Sequence, residues 1–279
     1  MNSDLINLAM NLNKQTKNIV GESFSVDDRD YFRKVYDYLK SNNYDTSRLE
    51  ERLKTLTMIK GDEQRDGLGS HYSESKNELT YTNEQDLYHE TFHIATKGIV
   101  IGPLGKQLGT GLNEGITDML AKRINPNVIT HYKVENLIAE VLEKAFGPKV
   151  FDSYFKGNGK EYIQQFDSDL MLETLTDIDD YSDAMSSFWD NGNNMEQREQ
   201  IIALEKSSSY IRGLFDNVMY DLSDLLENKE QEEKEEIVSF IESKLASKEL
   251  ETVTGILEYQ QEKIDLKEIF NIKDMGKRY

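Results

Sequence analysis

Cysteine is absent from this chain of 279 residues. Disulfides, thiolate metal sites and cysteine nucleophiles are therefore excluded, and any bound metal must be held by imidazole and carboxylate. Histidine is scarce too: the 4 present are His71, His89, His93 and His131, so the candidate ligands are few. Only 3 prolines occur, which leaves room for long uninterrupted helices. Positive charge is short, with 33 Lys and Arg against 52 Asp and Glu and a formal net charge of −19. Phosphate binding needs a basic footprint, so neither nucleic acid nor an anionic membrane is expected as a partner. Long apolar runs are lacking, and no stretch approaches the ~20 apolar residues of a membrane-spanning helix. The segment Met1–Met10 has no basic region and no apolar run of signal-peptide length. If residue 1 is the native start, this points to the cytoplasm; if a leader has been removed, it points to secretion.

What is present reads as an α+β chain. Tyr31, Phe32, Val35, Tyr36 and Leu39 recur at helical spacing over 27–41, behind Asp27 and Asp28, and a second short helix is expected at 45–53. Leu56–Ile59, Ser70–Tyr72 and Leu79–Thr82 read as short strands, the last two flanking a hairpin turn at 73–77. From Gln85 onward the pattern is mostly helical. Helices are expected at 84–97, with Asn83 as cap and Gly98 as terminator, and at 112–124, 134–146, 195–227, 231–246 and 249–262. Gly98, Gly102, Gly105, Gly109 and Gly111 mark an irregular connection. It has neither the lysine-serine/threonine ending of a phosphate loop nor dinucleotide spacing, so it reads as a loop. The charge-rich run Glu227–Glu236 reads as a solvated helix face.

The chemistry is concentrated in His89-Glu90-Thr91-Phe92-His93. Two histidines at i and i+4 project from one helix face, about 40° apart around the axis, where a single tetrahedral zinc can accept both. Glu90 falls about 60° beyond His93, beside such a metal rather than on it, in position to take a proton from a water. Leu87, Thr91, Phe92, Ile94 and Ala95 share the opposite side, so the back of the helix is expected to pack into the core and the front to face a cleft. The bland alternative is a pair of surface histidines on an amphipathic helix.

A second motif follows 20 residues after His93: Asn113-Glu114-Gly115-Ile116-Thr117-Asp118. A catalytic zinc needs three protein ligands and one open position, and Glu114 supplies the third. Asp118 lies one turn along and suits the acceptor that a zinc-bound histidine needs for its other ring N–H. Here the bland reading is a solvated acidic face.

Together, His89-Glu90-x-x-His93 and Asn113-Glu114-x-x-Thr117-Asp118 resemble the motifs of the gluzincins, the thermolysin-like clan of zinc metallopeptidases. The resemblance covers residues 83–124. It implies a zincin-like fold, with a small mixed sheet and the active-site helix in an amino-terminal lobe (1–98). A mainly helical carboxy-terminal lobe (99–279) would carry the third zinc ligand. It implies one catalytic Zn2+, a peptide or protein substrate lying extended along an edge strand near Gly69–Tyr72, and hydrolysis with Glu90 as general base. It also implies a tyrosine or histidine that stabilises the oxyanion; His131 and Tyr132, shortly after the second motif, are the candidates, with His71 a further residue that would face substrate from the edge strand. Two other readings stand beside metalloendopeptidase: a zincin-fold binding or regulatory protein that holds zinc without peptidase activity, and a helical interaction module with no metal.

Overall fold

The computed structural model describes residues 28–61, 69–102, 107–192, 197–259 and 263–272. Residues 1–26, open in the sequence as a pro-segment, a lid or part of the first lobe, lie outside them, as does Gly105. The chain is mostly helical with one small mixed sheet, an α+β composition. It divides into two compact units. One comprises the residues up to Gly98 with Thr117–His131 and Ser153–Asn158; the other comprises Ile99–Ile116, Tyr132–Asp152 and Gly159 onward.

The first unit opens with α1 (Asp28–Ser41) and α2 (Ser47–Leu53), followed by β1 (Thr57–Lys60), β2 (His71–Ser73) and β3 (Glu78–Tyr81). The strands are arranged β1-β3-β2: β3 pairs parallel with β1 and antiparallel with β2. The expected hairpin is thus present, with β2 at the sheet edge among the described residues. Its turn depends on Asn77, which adopts a left-handed backbone (φ 48°) of the kind asparagine tolerates better than most residues. The Asn77 amide repays the strain locally. It donates to the Arg52 carbonyl at 2.8 Å and to Thr55 Oγ1 at 2.9 Å, and its carbonyl accepts the Tyr72 hydroxyl at 2.8 Å.

Helix α3 (Asp86–Ala95) packs against the sheet and against α1 and α2. It is shorter than the expected 84–97. Gln85 is the capping position, while the Asn83 side chain accepts the Gln85 N–H at 3.0 Å. Leu87, Thr91, Phe92, Ile94 and Ala95 are all buried, as their spacing requires. So are His89 and Glu90, at 6% and 5% exposure. The front of the helix is thus covered at His89 and Glu90 and partly open at His93, which is half-buried; α1 seals one flank through the edge-to-face pairs Tyr31–Tyr88 and Tyr38–Phe92.

The second unit is built of helices. Helix α4 (Thr110–Ile124) starts here, and the division between the units falls within it. It is followed by α5 (Lys133–Phe146), a 3-10 turn at Pro148–Phe151, and the short α6 (Asp152–Lys156) and α7 (Gly159–Ile163), of which α6 belongs mostly to the first unit. Then come α8 (Ser168–Gly192), α9 (Gln197–Leu225), α10 (Gln231–Leu245), α11 (Glu251–Leu257) and α12 (Leu266–Ile269). The long pair α8 and α9 forms the most extensive helix–helix packing, and α10 lies on α5. Sequence periodicity did not single out α8. Its buried positions Met171, Leu175, Ile178, Tyr181 and Met185 do follow a helical stripe, but six aspartates in the same segment dilute that stripe with a residue of poor helix propensity.

Candidate metal centre

His89, Glu90 and His93 occupy consecutive turns of α3, and Glu114 and Asp118 consecutive turns of α4. The structure brings one ligand atom each from His89, His93 and Glu114 within 4.8 Å of one another. His89 is buried and the other two are half-buried. The two imidazoles face each other through their Nε2 atoms, 2.9 Å apart, with ring centroids at 4.7 Å.

The far side of His89 explains this aim. Its Nδ1 lies 2.7 Å from Oδ1 of Asp118, whose side chain is fully buried. A carboxylate accepts only, so the ring proton sits on Nδ1 and the lone pair on Nε2 points toward His93 and Glu114. The other Asp118 oxygen accepts the backbone N–H of His131 at 3.0 Å. Asp118 is thus held at both oxygens, and it fixes the tautomer and the orientation of the ring.

A three-donor set of two imidazoles and a carboxylate suits a divalent cation. Tetrahedral bonds of about 2.0–2.1 Å place ligand atoms about 3.3 Å apart, so a small opening of the 2.9 Å imidazole pair accommodates an ion. The residues present fit a metal. Glu90 follows His89 on the same helix and is likewise buried.

Two further residues brace these helices, and neither was legible in the sequence. Thr117 Oγ1 and the Tyr154 hydroxyl lie 2.8 Å apart, and the Tyr154 carbonyl accepts the hydroxyl of Thr96, which caps the end of α3. Tyr154 is fully buried, so one residue of α6 holds Thr96 through its backbone carbonyl and Thr117 of α4 through its side-chain hydroxyl. Asp86, at the first position of α3, accepts Ser70 Oγ at 2.7 Å and lies 3.3 Å from His131 Nε2. Burial alone would raise the Asp86 carboxyl, but hydrogen bonds from His131 and Ser70 outweigh it and hold it below the usual range. The same hydrogen bond to Asp86 raises the His131 imidazole, against a smaller opposing effect of burial.

The remaining sequence candidates occupy distinct places. His131 engages Asp86 through its ring and Asp118 through its backbone, while the ring itself stays more than half exposed. Tyr132 caps the start of α5 and is half-buried. His71 is exposed on β2, with Nδ1 3.1 Å from the Gly69 carbonyl. Comparison with protein-family models, with curated proteins and with solved structures gives no match.

Proposed function

We propose that the chain is a zinc-dependent metalloendopeptidase of zincin-like architecture, in which His89, His93 and Glu114 hold the ion and Glu90 moves the proton. The observation that carries this reading is the convergence of those three ligand atoms within 4.8 Å, with His89 oriented from behind by Asp118 at 2.7 Å. A solvated acidic face does not account for a fully buried aspartate on an imidazole. Surface histidines do not account for a ring at 6% exposure.

When bound, the ion would polarise the scissile carbonyl and lower the pKa of a water to about 7. The rest is done by the chain. Glu90 accepts the proton of the attacking water and passes it to the leaving amine, so the nitrogen departs as a neutral amine. Asp118 balances the charge that builds on His89. An extended peptide would pair along β2, one of the two edge strands among the described residues, through its backbone N–H and C=O groups.

The resident group that stabilises the oxyanion is proposed among His131 and Tyr132. His131 has the stronger support, since its raised pKa keeps the ring cationic over a wider pH range.

An unbiased peptide-library digest tests the proposal, with zinc-loaded wild type against Glu90→Gln. Cleavage by wild type and a loss of 10²-fold or more in the variant, with zinc still bound, is the expected result. Zinc binding without cleavage by either protein would leave a metal-holding binding protein and overturn the peptidase. Absence of about one equivalent of zinc would overturn the metal centre itself.

A further inference from the structure

Glu114 reaches the imidazoles only if α4 starts in one particular place, and that start is held by a side chain from far along the sequence. Asp179, on α8, accepts the backbone N–H of Gly109 at Oδ2 and that of Gly111 at Oδ1, both at 2.7 Å. Thr110 is the first residue of α4, so these amides flank the helix start, where N–H groups have no partner within the helix. A carboxylate there also complements the positive end of the helix dipole. One hydrogen bond would act as a pivot. Two, to both oxygens of one carboxylate, restrain rotation as well as translation.

The packing around this clamp admits little slack. A Cβ on Gly111 would lie 3.1 Å from Ile178 Cγ2 and 3.2 Å from the Ile178 carbonyl. Gly109 has φ +86°, a backbone conformation that suits glycine, and its Cβ position looks onto Leu175. One turn later, a Cβ on Gly115 would fall 2.3 Å from the Glu135 carbonyl of α5. Glu114 sits between these two close approaches.

We infer that Asp179 is a positioning residue of the metal centre: it sets the axial and rotational register of α4 at which the Glu114 carboxylate meets His89 and His93. This rests on the reading that those three residues hold a metal. Asp179 does not touch the ion; it acts through the helix. Burial raises its carboxyl above the ordinary range; the two backbone N–H bonds offset that rise only in part, and Asp183 and Asp180 add to it. Those bonds are what make a carboxylate useful at this crowded acidic position.

The test compares wild type, Asp179→Ala, Asp179→Asn, Glu114→Gln and the double variant Asp179→Ala/Glu114→Gln. Zinc affinity is measured by competition with a chromogenic chelator, ligand geometry from the visible spectrum of the cobalt-substituted proteins, and folding by thermal melting. Asp179→Ala is expected to weaken zinc binding about 10- to 100-fold, and Asp179→Asn, which keeps one acceptor oxygen and the shape, by less. The double variant should bind no more weakly than Glu114→Gln alone, and the cobalt spectrum of Asp179→Ala should approach that of Glu114→Gln. A residue of merely structural value would lower the melting temperature and leave zinc affinity unchanged, or its effect would add to that of Glu114→Gln; either result overturns the inference. If Asp179→Ala does not fold, the affinity and spectrum of Asp179→Asn decide by the same comparison. Wild type without zinc, or Glu114→Gln binding as tightly as wild type, overturns the metal reading and this inference with it.

Discussion

Nδ1 of His89 lies 2.7 Å from Oδ1 of Asp118, and the second oxygen of that carboxylate takes the backbone N–H of His131 at 3.0 Å. The two bonds make Asp118 both the partner of a candidate ligand and an anchor for the chain leaving α4. Asp118→Ala should therefore weaken zinc binding about 10- to 100-fold and cost about 1–3 kcal/mol of stability by leaving buried donors unpaired. Asp118→Asn keeps an acceptor for one of the two donors and should lose less of both. Chelator competition and urea unfolding read the two effects separately; unchanged zinc affinity in Asp118→Ala would count against the orienting role.

Gly115 has no room for a side chain, since a Cβ there would sit 2.3 Å from the Glu135 carbonyl. Gly115→Ala must move one helix backbone away from the other. Overpacking of this kind costs about 1–3 kcal/mol or more, and because Glu114 is the preceding residue, zinc affinity should fall alongside stability. A urea midpoint equal to that of wild type would show that the contact yields freely.

Asp221, on α9, is buried to 9% exposure, and its Oδ2 has no hydrogen-bond partner among the described residues. Burial first, then the neighbouring carboxylates Asp177, Glu173 and Asp224, push its pKa up to about 7. Below about pH 4 both folded and unfolded chains hold this proton, and the group has no effect on stability. Between about pH 4 and 7 the unfolded chain releases the proton while the folded chain keeps it, so stability falls as pH rises, and the loss is complete above the folded value. Asp221→Asn should gain on the order of 2 kcal/mol at pH 8 and converge with wild type near pH 4. Urea midpoints across that range provide the check; a gain independent of pH would assign the effect to something other than this ionisation.

The His131–Asp86 pair predicts a titration. The imidazole is raised by its hydrogen bond to Asp86, so the stabilisation it contributes is present below the ordinary histidine value near 6.5 and fades as pH rises through the higher folded value. With the ring 57% exposed, solvent screening holds that contribution below about 1 kcal/mol. Proton NMR should place the His131 ring above 6.5 in wild type and move it downward in Asp86→Asn. No movement would dissociate the two groups in solution.

Spacing within a single helix is what the sequence could decide alone. His89 and His93 share a face, and Glu114 and Asp118 stack one turn apart, because a helical period of about 3.6 residues follows from backbone geometry whatever the helix packs against. The absence of cysteine, the acidic balance and the hairpin turn ending at Asn77 were legible for similar local reasons. The amphipathic pattern of α3 described its buried back correctly and turned its front toward a cleft; that His89 and Glu90 on this front are buried depends on what else the chain lays over them. Only the tertiary structure could place Asp179 on the amides of Gly109 and Gly111, Tyr154 between Thr96 and Thr117, or β3 between β1 and β2. These contacts join residues tens of positions apart, and no local preference of either partner specifies the other. They are settled by close packing over the whole fold, in which a glycine at 115 or an aspartate at 179 acquires its meaning from the neighbour it meets.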